Sequence, residues 1–129
     1  MNMPMIQAVA QDYLTHLHAG DLAAILSLFT PDAQVHSPLY GQRPATDFYT
    51  ELFADTRRSE LTHLDTLTNE TTRTAALYFE YNWLMANGQE VVFPCVDILH
   101  FTEAGKIATL KIIYDTVVAR THFATLKQT

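Results

Sequence analysis

Tyr78-Phe79-Glu80-Tyr81-Asn82-Trp83-Leu84-Met85-Ala86-Asn87-Gly88-Gln89-Glu90-Val91-Val92-Phe93-Pro94-Cys95-Val96-Asp97-Ile98-Leu99 is the stretch that decides the fold. Two runs rich in aromatic and β-branched residues flank Asn87-Gly88. That dipeptide suits a two-residue type I′ turn, because both central positions of such a turn need positive φ. The stretch therefore predicts a β-hairpin. In its second arm, Asp97 is the one charged residue from Val91 to Leu99. A carboxylate placed there must be paired, hydrogen-bonded or protonated, because burying it alone and ionised is very costly. Either the strand borders a pocket with specific polar chemistry, or Asp97 is a structural residue held by a backbone amide or a tyrosine.

With Asn87-Gly88 as the turn, Ala86 faces Gln89, which sets Tyr78 opposite Asp97 and Glu80 opposite Cys95. Paired residues share a face. One face then carries Tyr78, Glu80, Asn82, Phe93, Cys95, Asp97, Leu99 and Phe101, and the other Leu77, Phe79, Tyr81, Trp83, Val92, Pro94, Val96 and Ile98. Both faces are rich in apolar side chains and both need cover. The expectation is that one lines the helices and a pocket, while the other meets a second subunit, giving a homodimer through the sheet.

Outward from the hairpin, further strands are predicted at about 60–68 and 106–116, the second following a looser turn at Glu103-Ala104-Gly105-Lys106. Upstream, Ile6, Val9, Ala10, Tyr13, Leu14 and Leu17 follow the spacing of an amphipathic helix, with Pro4 in its first turn and Gly20 at its end. Asp21 is placed to cap a second helix that carries Leu22, Ile25, Leu26 and Phe29. A short strand at 33–37 and a loop at 41–43 follow. Pro44 then opens a third helix bearing Phe48, Tyr49, Leu52 and Phe53, and 117–126 reads as a closing helix. Helices first and an antiparallel meander after them define an α+β domain, in which a strongly curved sheet wraps the N-terminal helices.

The chain has 129 residues, which fits a single domain over 1–129. Charged residues make up only 17%, below the usual quarter, as an oligomer or an internal cavity would require. Net charge is −6 and the eight basic residues are scattered, so no nucleic-acid partner is expected. No apolar stretch reaches a membrane span, and the opening residues lack the basic and apolar regions of a leader, so the expected location is cytoplasmic. One cysteine, Cys95, excludes an internal disulfide and cysteine zinc patterns. The six histidines show no ligand spacing beyond His16-x-His18, whose side chains diverge on a helix, so no metal is expected.

Tyr13 with Ala19-Gly20-Asp21, then Leu28-Phe29-x-x-Asp32-Ala33-x-Val35-x-x-Pro38, resembles the opening of the nuclear transport factor 2-like superfamily. Val96-Asp97-Ile98-Leu99-His100-Phe101 with Ala104-Gly105-Lys106-Ile107 resembles its penultimate hairpin. The resemblance covers about residues 5–118, and its branch is the SnoaL-like and ketosteroid isomerase-like one. It implies a cone-shaped α+β barrel, usually dimeric, around an apolar cavity. Activities in the superfamily include steroid isomerases, SnoaL-type polyketide cyclases, epoxide hydrolases and dehydratases, beside many pocket proteins with no known reaction.

Set against the ketosteroid isomerases, Tyr13 falls at the oxyanion-hole tyrosine, Asp97 at the protonated aspartic acid that shares the hole, and Tyr49 at the supporting tyrosine. An apolar site keeps such an acid neutral, so that it can donate a hydrogen bond; this enzyme is the standing example of that effect. The general base does not carry over. Those enzymes have an aspartate before the proline, where this chain has Ser37 before Pro38. His36 has a suitable pKa, but neighbours on a strand point to opposite faces, so it needs a bulge to reach the pocket.

The candidate catalytic residues are thus Tyr13, Asp97 and His36. The expected pocket lining is Ser37, Tyr49, Phe53, Tyr78, Glu80, Leu99, Phe101 and Tyr114. Two functions follow. One is a small-molecule pocket protein that binds an apolar or carbonyl-bearing ligand. The other is a cofactor-independent isomerase, cyclase or dehydratase that works by proton transfer.

Overall fold

The computed structural model describes residues 1–128. Helix α1, Met3–Ala19, starts where the Asn2 side chain accepts the Met5 N–H at 3.0 Å, and it ends on Gly20, whose φ of 65° suits a residue with no Cβ. Its apolar stripe of Ile6, Ala10, Tyr13, Leu14 and Leu17 is buried. Asp21 caps α2, Leu22–Leu26, by accepting the Ala24 N–H at 3.1 Å.

This second helix is shorter than its sequence pattern suggests. Phe29 already belongs to β1, Phe29–Ser37, where it pairs with Ile107. Strand pairing to a distant segment overrides the helical spacing of Phe29. The predicted loop at 41–43 is likewise a short strand, β2 (Gly41–Pro44), folded back antiparallel on β1. Helix α3, Ala45–Ala54, buries Ala45, Phe48, Tyr49 and Leu52. Strands β3 (Thr56–Asn69), β4 (Thr74–Met85), β5 (Glu90–Phe101) and β6 (Ile107–Ile113) form the meander, and α4 (Val117–Lys127) closes the described chain.

The six strands make one curved, unclosed mixed sheet in the order β2-β1-β6-β5-β4-β3. All neighbours are antiparallel except β1 and β6, which run parallel. The first and last strands therefore lie side by side. This brings the end of β1, with Ser37, next to β6 and thence to Asp97 on β5.

The β4–β5 hairpin differs from the sequence expectation by one residue. Met85 pairs with Gln89 through Met85 N–H to Gln89 O at 2.8 Å, and the Gly88 N–H returns to Met85 O at 3.0 Å. Ala86, Asn87 and Gly88 form a three-residue loop in which Gly88 alone has positive φ, at 87°. This is a type I turn closed by a left-handed glycine, and Asn87 serves it by accepting the Gln89 N–H at 3.1 Å. Asp97 consequently pairs with Leu77, Cys95 with Phe79, and Phe93 with Tyr81.

A slip of one residue exchanges the faces of a strand. The buried face of β4 is therefore Ala75, Leu77, Phe79, Tyr81, Trp83 and Met85. Tyr78 and Glu80, expected in the pocket, lie on the outer face and are exposed.

Candidate functional site

The concave face of β4, β5 and β6 meets α1 and α3 around a cavity of about 40 Å³. At about 10–15 Å³ per water this is room for a few water molecules. Its wall is mainly aromatic, with Phe48 from α3 facing Phe79, Tyr81 and Trp83 from β4 and Phe93 from β5. Trp83 is the chain's one tryptophan.

Among the described residues, Asp97 supplies the only carboxylate in that wall. It is 2% exposed. The Tyr13 hydroxyl donates to its Oδ2 at 3.1 Å and the Cys95 thiol to its Oδ1 at 3.2 Å. Cys95 reaches because residues two apart on a strand share a face. Tyr13 has one hydrogen and gives it to Asp97, so the 2.7 Å contact between the Tyr13 and Tyr49 hydroxyls is donated by Tyr49. A relay runs from Tyr49 through Tyr13 to Asp97, and Tyr49 needs no place in the cavity wall to act in it.

Burial raises the Asp97 carboxyl to about 7, although the Cys95 and Tyr13 hydrogen bonds work in the other direction. No basic side chain contributes. Asp97 is therefore divided between its neutral and charged forms near neutral pH. Burial, reinforced by Tyr49 and Asp97, holds the Tyr13 hydroxyl well above its ordinary range, so it remains a neutral donor. Burial and then the Asp97 charge push the Cys95 thiol up as well, and it stays protonated.

Ser37 and Tyr114 line the cavity together with Tyr13 and Asp97. The Tyr114 ring stacks on Phe93, with centroids 4.2 Å apart. Other expected residues lie elsewhere. β1 shifts register between Phe29 and Gln34, and His36 lies beyond that shift in regular pairing, opposite Gln42 and beside Lys111. It takes no part in the cavity wall. Leu99 and Phe101 are buried on the concave face, but farther along β5, where they fill the core. Phe53 touches the Tyr49 ring at 5.9 Å and borders a separate open groove with His18, Thr56 and Arg57.

Sequence reading missed Tyr40, Phe79, Tyr81 and Trp83. The last three follow from the three-residue loop, which Asn87-Gly88 does not distinguish from a two-residue one. Tyr40 reaches the cavity from the turn after β1, where its hydroxyl donates to Asp55 Oδ2 at 2.7 Å and its ring packs edge-on against Phe48 and Phe123. Lys127 of α4 bonds to the same Asp55 and to Glu51. Among the described residues, no group of three or more His, Cys, Asp or Glu side chains is arranged to hold a metal ion. Nor is any helix there long and apolar enough to cross a membrane.

The architecture is that of known proteins. The chain is similar to the BvnE pinacolase from Penicillium brevicompactum, with a TM-score of 0.80 at 14% identity, over 98% of this chain and 92% of that one. It is similar to the epoxide hydrolase/cyclase-like enzyme SalBIII, which has a role in pyran ring formation in the polyether salinomycin, with a TM-score of 0.74 at 17% identity over 85% and 90%. A third likeness is to an NTF2-like protein of unknown function from Burkholderia pseudomallei K96243, with a TM-score of 0.76 at 16% identity over 90% and 93%. The SnoaL-like domain profile matches residues 10–110, and the chain belongs to the SnoaL-like family.

Proposed function

We propose that this chain is a small-molecule pocket protein that takes a compact, largely apolar ligand bearing an oxygen function into the cavity beside Asp97. The observation that carries the reading is a carboxyl group with no cation among its partners in the described residues, buried in an aromatic cavity and addressed by two neutral donors. A purely structural aspartate has no need of a cavity on its open side.

The test uses cyclohexanone, with the Trp83 indole N–H as reporter in a proton–nitrogen correlation spectrum. A saturable shift at millimolar ligand is expected. A signal unmoved up to the solubility limit would sink the reading.

A second reading is proton-transfer catalysis without a cofactor, as an isomerase, cyclase or dehydratase. The Asp97 value near 7 favours it, because a group that is half-ionised at the working pH can both take and return a proton. In the charged form Asp97 accepts from Tyr13. Once protonated it is itself a donor, and with Tyr13 it can hold a developing oxyanion. Neither His36 nor Glu80 is needed. Exchange of the ketone's α-hydrogens in deuterated water separates the two readings: catalysed by the wild type and lost in Asp97→Asn, it supports catalysis. Binding with no exchange leaves the pocket protein.

The outer face of β4–β6, with Tyr78, Val92 and Ile113 exposed, supports a homodimer through the sheet. Sedimentation showing only monomer at micromolar concentration would count against it.

A further inference from the structure

The open groove beside Phe53 has a volume of about 340 Å³, against about 40 Å³ for the aromatic cavity. Sites for small molecules usually measure about 300–1,000 Å³, so the groove has the room that the cavity lacks. The two share a wall. On α1, Leu17 lines the cavity and His18 the groove; on α3, Leu52 lines the cavity and Phe53 the groove. From β3, Thr56 and Ser59 line the groove and bond through the wall to cavity residues. The Trp83 indole N–H donates to Thr56 Oγ1 at 2.8 Å, and the Ser59 and Tyr81 hydroxyls meet at 2.8 Å.

Charge in the groove is not balanced. Arg58 is matched by Glu60 at 3.3 Å and by Glu90 at 2.9 Å. The Arg57 side chain, which also lines the groove, has no ion pair or hydrogen bond among the described residues. Arg57 is the residue left without a partner on β4 where the register shifts between Thr56 and Arg58. Such a bulge takes a side chain out of the regular alternation of its strand and re-aims it. β3 ends the sheet, so no further strand lies beyond it. The guanidinium lies over Gly88, with Nη1 3.6 Å from where a Cβ would stand. In a chain of net charge −6, an unmatched cation beside an apolar ring is a local exception.

We infer that this groove is the outer half of the binding site and takes a carboxylate: the ligand is a cyclic or aryl carboxylic acid, held with its acid group on Arg57 and its apolar body against Phe53 and the shared wall. A guanidinium presents a planar fork of N–H donors that fits a carboxylate. His18 of α1 adds a further N–H to the groove, which an imidazole carries in either tautomer. The assignment rests on the pocket reading above and gives its ligand an acid group at the end away from Asp97.

The experiment titrates phenylacetate and the neutral phenylacetamide into the full chain at neutral pH. The Trp83 indole N–H and the Arg57 Nε–H serve as reporters in one proton–nitrogen correlation spectrum. The acid should move both signals and bind about three- to tenfold more tightly than the amide, as for a charge pair open to solvent. Added salt should narrow the difference. Arg57→Gln should abolish the preference, and Arg58→Gln should leave most of it. Arg57 is exposed, so its replacement leaves the core untouched.

Equal binding of acid and amide overturns the assignment, and so does a preference that survives Arg57→Gln. An acid that moves the Arg57 signal and leaves Trp83 still would mark a surface contact unconnected with the cavity, and overturns it too. In each of these cases a cyclohexanone shift at Trp83 keeps the pocket reading standing. If neither cyclohexanone nor phenylacetate moves Trp83, the pocket reading falls and this assignment with it.

Discussion

Two tyrosine–aspartate pairs flank the cavity, and they differ in what surrounds them. At the inner end, Tyr13 donates to Asp97, which is almost fully buried and whose other partner among the described residues is a thiol. At the outer end, Tyr40 donates to Asp55, and Lys127 of α4 bonds to the same carboxylate at 2.5 Å. With a cation at hand, a carboxylate fastens one element to another through charge-assisted hydrogen bonds. Without one, burial moves it into the range where it exchanges protons. The same pair of side chains thus fastens two elements in one place and in the other leaves a buried acid without a charged partner.

The largest expected effect comes from removing the inner charge. Asp97 is raised to about 7 in the folded chain, above the roughly 3.9 of an unfolded aspartate. The folded state therefore holds this proton more tightly. Its contribution to stability is full below about pH 4 and is lost as pH rises through about 7. Asp97→Asn should accordingly be within about 1 kcal/mol of wild type at pH 4 and more stable by about 2–4 kcal/mol at pH 8, by chemical denaturation. A wild type that gains stability between pH 4 and pH 8 on account of Asp97 would show the inner pair to be a fastener too.

A smaller effect is expected from Tyr13→Phe, which strips Asp97 of one donor and leaves the Tyr49 hydroxyl without its acceptor. The expected cost is about 2 kcal/mol at pH 8. The Asp97 carboxyl, followed by carbon NMR, should move above its wild-type value, because that hydrogen bond holds it down. A downward movement would contradict the relay.

Smallest should be Lys127→Ala at the outer pair. Lys127 and Glu51 are partly exposed, and exposed ion pairs contribute about 1 kcal/mol or less. The Lys127 hydrogen bond leads the causes that depress Glu51. Its contribution is present above the ordinary glutamate range and disappears as pH falls through the depressed value. The difference between wild type and variant should therefore vanish in acid and shrink in salt, with faster hydrogen exchange confined to α4.

How far the sequence carried these conclusions is best seen at the hairpin. The strands, the buried Asp97 and the tyrosine on the first helix were all legible, because each rests on local spacing or on the cost of a lone charge. The identity of its neighbours was not. Asn-Gly serves both a two-residue turn and the last two positions of a three-residue one, and only the second is compatible with an Asn87 outside the positive-φ region. β4 has aromatic residues on both faces, so hydrophobic alternation could not reject the wrong choice. Glu80 offered a hint, since the register expected from sequence would bury a second charge beside Cys95. Phe29 was misplaced and Tyr40 overlooked for another reason: one is claimed by a strand pairing and the other by a turn, and both depend on segments far along the chain.

The loop of Ala86, Asn87 and Gly88 also sets a rule of parity for this hairpin. Removing one residue, or adding one, would slide β4 against β5 by a single position. Phe79, Tyr81 and Trp83 would then be turned out to solvent and Tyr78 and Glu80 brought in, with two carboxylates sharing the cavity. Changes of two residues preserve every facing and alter only the reach of the loop. Length variation here is thus counted in even steps, and an odd step would change the chemistry of the site without altering one of its residues.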